Sequence, residues 1–397
     1  MNLDLNLPKV APSGITARVL LAFLATAGLY YVNIMPALVD GLKEGLGFSN
    51  RDAGLVGSFN MYGAACGAFV AAFFVRRLNW RVAAHLLLAG LIVVDLLSTL
   101  VTVPQWLMGV RFVHGFIGGT LVGLGFLIIA RTVAPDRTFG MLLLVQALAG
   151  GLGVMSLPLL LPIFGTRVLF IALILFTGMT LVMLQFLPDY PPRQVDVIAD
   201  ENGTATRTKT LKLFLLALAS VFLFQAANMG LYAYIIGLGK SHGLQIEFVS
   251  ETLGIANWVG MLGAGLVIVM STRYGIFKPI LWGMLVTLFG TWALNHSDIK
   301  WVWVAANIVT GITWNFVIAY LLGMCARFDQ TGQSAVWAGF ASKMGLATGP
   351  MIGAFILSGN QYAMLITFAL MLLVLATLAA GWPAAMLDKK RAELPAT

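Results

Sequence analysis

The chain has 397 residues, 59% of them hydrophobic and only 10% charged, with a net charge of +8 and a mean hydropathy of +0.91. Soluble domains carry about 25% charged residues, so this composition excludes a soluble globular protein and points to one that crosses a membrane many times. The positive balance does not signal nucleic-acid binding, because the basic residues gather at the ends of apolar runs, where they report topology.

The N-terminal stretch MNLDLNLPKVAPSG lacks a short apolar core followed by a small-residue cleavage site, so no removed signal peptide is expected. A helix needs about 20 apolar residues to cross the bilayer. Twelve such spans are expected, at 15–40, 52–75, 82–102, 105–130, 138–162, 166–188, 211–238, 248–271, 278–294, 300–325, 333–357 and 362–386. The only long polar connection, 189–210, divides them into an N-terminal bundle (1–188) and a C-terminal bundle (211–397) of six helices each. Of the 24 Lys and Arg, Arg111 and Lys343 fall within spans, and Lys43, Arg51, Arg167, Lys240 and Lys300 fall on one face. All the others lie on the opposite face, which the positive-inside rule makes cytoplasmic, with both termini and the 189–210 linker. The expected setting is therefore the inner membrane, with the lipid bilayer as the main partner. Cys66 and Cys325 are isolated in apolar runs, which argues against a disulfide framework or a metal site.

In the first span, Tyr30, Tyr31 and Asn33 are polar at mid-depth. The third carries Asp95 and the fourth carries Arg111 and His114. Asp95 and Arg111 each lie eight residues from Val103 at the intervening turn, so a rise of 1.5 Å per residue sets both about 12 Å below it. Depth-matched on adjacent helices, they are placed to form a salt bridge, and unpaired each would carry a large desolvation cost. Two roles are open. The pair locks two helices together, or Asp95 exchanges a proton while Arg111 moves between Asp95 and substrate, since a carboxylate freed of its partner in a low-dielectric site can take up a proton. His114 is a candidate too, because an unperturbed histidine changes charge in a range suited to proton coupling. Its plainer alternative is a neutral imidazole hydrogen-bonded to a backbone or hydroxyl group, because no carboxylate lies near it on its own helix.

The seventh span aligns Gln225, Asn228 and Tyr232 at i, i+3 and i+7, and the tenth aligns Trp303, Asn307, Thr310 and Trp314. Single buried amides usually serve hydrogen bonds between helices. Two aligned stripes favour the lining of a wet cavity, where amides find partners. Aromatic walls, a few amides and a cation suit a small amphipathic organic molecule. In the eleventh span Lys343 lies about ten residues in, roughly 15 Å deep by helical rise and too far to snorkel easily. Glu247, Glu251, Asp298 and Asp329 all lie near span ends, so no acid of this half matches its depth. Lys343 is therefore either neutral or turned to a water-filled cavity where it binds an anion, and intramembrane ionisable residues are functional by default. Glycines recur every four residues at Gly115, Gly119 and Gly123 and at Gly345, Gly349 and Gly353, the spacing that lets membrane helices approach closely. None joins a strand to a helix as a phosphate loop does, and no cofactor, metal, nucleotide or catalytic set is visible.

The 6+6 layout with its cytoplasmic linker resembles the major facilitator superfamily over essentially the whole chain. RFVHGFIGG (Arg111–Gly119) is similar to that family's fourth-helix motif, with Arg followed by Gly four residues later. The second loop, FFVRRLNWR (73–81), is a partial copy of the pattern G-x-x-x-D-R-x-G-R-K: Arg77 and Arg81 match, but Arg76 stands at the acidic position, Ala72 at the first Gly and Asn79 at the second. Its counterpart VMSTRYGIFK (269–278) keeps Arg273 and Gly275, with Thr272 at the acidic position. AGGLGVMSLP in the fifth span departs from the family's antiporter motif ending in Gly-Pro, and GLATGPMIGA in the eleventh is nearer to it. The resemblance implies an all-α fold of twelve transmembrane helices in two pseudo-symmetric six-helix bundles, with helices 1, 4, 7 and 10 lining a central cavity. It also implies alternating access, and a basic residue of helix 11 that serves carboxylate substrates in some members.

The expected function is secondary active transport of a small organic anion or zwitterion, coupled to protons. Lys343 and Arg111 would bind substrate with Tyr30, Tyr31, Asn33, Gln225, Asn228, Tyr232, Asn307 and Trp314; Asp95 or His114 would carry the proton. One rival is an antiporter exporting lipophilic or cationic drugs, disfavoured because basic groups outnumber Asp95 in the spans. Another is a receptor or scaffold that moves nothing, although short tails and a short linker offer little signalling surface. An enzyme is not expected.

Overall fold

The structure, a computed structural model, describes residues 8–74, 79–191, 207–270, 273–328, 333–359 and 361–392. Arg76, Arg77, Arg193, Thr272 and Asp329, and most of the 189–210 linker, lie outside the described residues. The described residues form helices and no strands, as a chain must when lipid leaves every backbone N–H and C=O to be satisfied within its own segment. Eleven helices are long and apolar enough to cross a membrane, and one shorter apolar helix, Ile15–Ala27, precedes them.

The helices group into two compact units. One holds residues up to 195 together with Ile246–Gly254; the other holds 196–245 and everything from Ile255 onward. The first contains α1 (Ile15–Ala27), α2 (Tyr30–Asn33), α3 (Met35–Leu46), α4 (Asn50–Phe74), α5 (Trp80–Ser98), α6 (Pro104–Ala130), α7 (Pro135–Phe164) and α8 (Arg167–Leu184). The second contains α9 (Arg207–Tyr232), α10 (Ile235–Ser241), most of α11 (Ile246–Met270), α12 (Phe277–Ala293), α13 (Lys300–Ala326), α14 (Gln333–Ile356) and α15 (Tyr362–Ala392).

The first and seventh expected spans are not single helices. The first is interrupted at Gly28–Leu29 and again at Ile34. Pro36, in the first turn of α3, lacks an amide hydrogen and crowds the carbonyl of the preceding turn, which favours the second break. At the first break Gly28 packs against α6 so closely that a Cβ would run into the Gly118 carbonyl. The seventh span is interrupted at Ala233–Tyr234, where the Tyr234 hydroxyl leaves its own helix to donate 2.8 Å to the Pro350 carbonyl of α14. All three breaks fall near tyrosines within the spans, where an irregular backbone is tolerated only when protein or a cavity surrounds it.

Glycine seams hold the helices at close range. A Cβ at Gly115 or Gly119 of α6 would meet the backbone of Asn60 or Ala64 of α4, and one at Gly345 or Gly349 of α14 would meet the backbone of Phe222 or Ala226 of α9. The apolar solvent contributes no hydrophobic drive between helices, so this approach and its dispersion contacts carry much of the packing.

Each unit ties its last helix to the start of its third crossing with a carboxylate. Asn79 caps α5 through the amides of Arg81 and Val82. Arg81 then reaches past the end of α8, with its Nε 2.6 Å from Asp189 Oδ1 and its Nη2 donating to the Leu187 carbonyl. Burial pushes the neighbouring Tyr190 phenol up to about 12, against the opposing pull of Arg81. In the second unit Asp388 near the end of α15 accepts from the amides of Ile276 (2.8 Å) and Phe277 (2.9 Å), beside Gly275 at a positive φ of 75°. These contacts occupy the loops whose family charge pattern is degenerate in the sequence.

Candidate functional site

In the first unit the charges on α5 and α6 meet. Arg111 Nη1 lies 2.6 Å from Asp95 Oδ1, and neither side chain has any exposed surface. The equal sequence distance from the α5–α6 turn sets this register, as helical rise requires. His114, one turn along α6, brings its Nε2 to 3.3 Å from the same carboxylate oxygen. Its other ring nitrogen faces Asn60 Nδ2 of α4 at 2.8 Å, and the same amide donates to the Arg111 carbonyl at 3.0 Å. Because Asn60 Nδ2 can only donate, Nδ1 of the imidazole accepts, and Nε2 carries the proton that points at Asp95. A neutral histidine held between an amide and a carboxylate results.

Arg111 has further partners in place. Nη1 also donates 3.1 Å to Ser98 Oγ, and the guanidinium carbon stands 4.5 Å over the Tyr31 ring and 5.5 Å from the Phe170 ring. Yet Arg111 Nε and Nη2 and Asp95 Oδ2 have no hydrogen-bond partner among the described residues. Part of the hydrogen-bonding capacity of a fully buried ion pair is thus unspent, an uncommon state for buried polar groups. Chemically, the carboxylate and the imidazole are the two groups of the cluster able to exchange a proton, while Arg111 stays charged.

The second unit holds a polar chain centred on α9. Gln225 accepts from Trp314 Nε1 of α13 at 2.7 Å and donates to Ser342 Oγ of α14 at 2.8 Å. Two turns along, the Tyr232 ring meets Trp314 edge-on at 5.6 Å and its hydroxyl accepts from Asn257 Nδ2 of α11 at 3.0 Å. The stripe Gln225–Tyr232 therefore links four helices. Lys343 follows Ser342 directly. It is half-buried in the middle of α14, and among the described residues it makes no hydrogen bond or ion pair.

The remaining sequence candidates divide. Tyr31 joins the Arg111 cluster, tilted 5.7 Å from the His114 ring. Tyr30 stacks on Phe176 at 4.5 Å and belongs to an aromatic core. Asn33 reaches the Gln146 carbonyl of α7 at 3.5 Å. Asn228 and Asn307 turn their amides onto their own helices, donating 2.8 Å to the Phe224 and Trp303 carbonyls four residues back. Sequence reading passed over Asn60, Ser98 and Phe170 in the first cluster and Asn257 and Ser342 in the second. Only helical spacing carried a signal for them: Ser98 is three residues from Asp95, and Ser342 precedes Lys343. Among the described residues no group of three or more His, Cys, Asp or Glu converges as a metal ligand set.

A model of the Major Facilitator Superfamily matches residues 19–336. The chain belongs to the major facilitator superfamily. It is a multi-pass membrane protein of a transporter family. Solved structures share the fold: a nucleoside transporter NupG aligns with a TM-score of 0.70 at 13% identity, over 93% of this chain and 98% of its own. A point mutant of NupG aligns with a TM-score of 0.68 at 15% identity, over the same shares. At such identity the likeness concerns the fold alone. No curated protein matches the chain.

Proposed function

We propose that this superfamily member is a proton-coupled secondary transporter of a small organic anion or zwitterion, working by alternating access between its two six-helix halves in the inner membrane, with both termini cytoplasmic. The observation that carries the reading is Lys343: a cation at mid-depth of α14, half-buried, without a partner among the described residues and next to the Gln225–Ser342 hydrogen bond. An ammonium in that setting is stabilised by a negatively charged ligand, and intramembrane ionisable groups of carriers mark solute paths. Gln225, Trp314 and Tyr232 supply an amide, an indole and an aromatic face in the polar chain that reaches Ser342, with Asn228 one turn from Gln225 on α9 and Asn307 two turns from Trp314 on α13. In this reading Tyr30 and Asn33 support the broken first span.

Proton coupling falls to the Asp95–Arg111–His114 cluster. Protonation of Asp95 releases Arg111 towards its other partners, Ser98 Oγ and the Tyr31 and Phe170 rings, and His114 steadies the carboxylate between the two states. The driving force is an ion gradient or substrate exchange.

A second reading has its own support: an uncharged polar solute such as a nucleoside. The amide–indole–phenol chain of Gln225, Trp314 and Tyr232 suits a heterocycle, and the similar structures are of a nucleoside transporter. Uptake by proteoliposomes under an imposed proton gradient separates the readings. Accumulation of labelled carboxylates or amino acids, with nucleosides excluded, is expected; nucleoside uptake alone would replace the charged-substrate reading, and no uptake of any solute class would favour a receptor.

A further inference from the structure

Counted from α1, the end of α3, the α5–α6 turn and the α7–α8 turn of the first unit all reach the same membrane face. Between them lies a crevice of about 320 Å³. Its lining is rich in hydroxyls: Ser98 and Thr99 at the end of α5, Thr102 in the turn and Thr166 before α8, with the exposed Arg167 among them. Ser98 and Phe170 line this crevice and also touch the buried cluster, Ser98 through its 3.1 Å contact with Arg111 and Phe170 through the cation–π contact. Asp95, Ser98 and Thr99 stand at i, i+3 and i+4 on one face of α5, so the hydroxyls form a short ladder leading from the surface towards the carboxylate. Thr166 Oγ1, buried among these residues, has no hydrogen-bond partner among the described residues. Neither does Asp95 Oδ2.

The geometry points to this crevice as the entrance by which protons from the face opposite the N-terminus reach Asp95 through the first unit itself. The inference rests on the reading of Asp95 as the proton site and adds the path to it. In the step it serves, a hydronium in the crevice is left as water as its proton passes by way of the Ser98 hydroxyl, which gives one proton up as it takes one on, to Oδ2 of Asp95. The carboxylate becomes a neutral acid, and Arg111 keeps its charge and its Ser98 contact. The charged and titratable groups facing Asp95 are Arg111 and His114 of α6, with Tyr31 of α2 behind Arg111; α8 contributes Arg167 only at the crevice lining. A path lined by hydroxyls suits protons and water.

The test uses the full chain in proteoliposomes, with Cys66→Ala and Cys325→Ala and a single Thr99→Cys, and the proton itself as the probe. Infrared difference spectra are recorded after the outer buffer is acidified, and the carboxylic-acid band that disappears in Asp95→Asn is followed before and after labelling with a bulky, impermeant maleimide. The account expects labelling to abolish the prompt appearance of the Asp95 band while the helical signal is retained. Thr102→Cys, on an exposed position, provides the same blockade should Thr99→Cys fold poorly. Full labelling with an unchanged Asp95 band would overturn the entrance while leaving Asp95 as proton site. No acid-induced Asp95 band in the unlabelled protein would remove the coupling reading, and the entrance with it.

Discussion

Replacing Asp95 with alanine leaves the Arg111 guanidinium charged, without exposed surface, and with Ser98 Oγ at 3.1 Å as its remaining side-chain acceptor. Breaking a buried pair from one side costs about 3–5 kcal/mol, because the surviving charge has lost its compensation. The Tyr31 and Phe170 rings hold the guanidinium both with and without Asp95, so they keep it in place but do not offset this loss. A loss of about 3 kcal/mol follows, since the lower end of that range applies where a charge keeps an acceptor. Asp95→Asn keeps an acceptor and costs less. In Asp95→Ala combined with Arg111→Leu no lone charge remains, so the double variant should be more stable than Asp95→Ala alone, which is the non-additivity expected of residues in direct contact. Equilibrium unfolding in mixed micelles, read as a double-mutant cycle, measures this. A single Asp95→Ala variant within about 0.5 kcal/mol of the native chain, the range of ordinary surface changes, would refute a sealed ion pair.

Two further outcomes follow from the packing. Gly119→Val drives a side chain into the Ala64 backbone of α4 and should cost about 3 kcal/mol or more, whereas Gly109→Ala, which meets nothing within 4 Å, should be neutral or stabilise by up to about 1 kcal/mol; thermal denaturation of the two variants checks the contrast. At the ends of the units, Asp388→Ala removes the acceptor for the Ile276 and Phe277 amides and should cost about 1–2 kcal/mol, as loss of a helix cap does. Asp189→Asn should cost under about 1 kcal/mol, because its side chain is 77% exposed and solvent screens the Arg81 pair. Equal losses at both sites would contradict that ranking.

Hydropathy made the helices legible, because twenty apolar residues in a row have few uses outside a membrane. Equal distance from the Val103 turn was enough to pair Asp95 with Arg111. It did not reveal that His114 shares the carboxylate, since the partner stands on the neighbouring helix and the sequence of α6 alone holds no acid. Asn60, which orients that imidazole, gave no signal, being one amide in a small-residue helix. The stripes of α9 and α13 could be aligned on their own helices, but the Trp314–Gln225–Ser342 chain between helices could not, and Asn228 and Asn307 look identical to Gln225 until their amides are seen bonded to their own backbones. The break at Pro36 has a sequence cause. The one at Ala233–Tyr234 has none nearby: it depends on a tyrosine reaching Pro350 more than a hundred residues on.

The central claim, that Lys343 is the anchor for a negatively charged group of the substrate, is tested most directly by ligand-induced stabilisation. Purified native protein, Lys343→Ala and Lys343→Arg are screened for thermal shift against the same panel of carboxylates, zwitterions and nucleosides at two pH values, since a ligand that binds the folded form raises its apparent stability by mass action. The account predicts a shift with an anionic or zwitterionic ligand that is lost in Lys343→Ala and partly kept in Lys343→Arg. An undiminished shift in Lys343→Ala would contradict it.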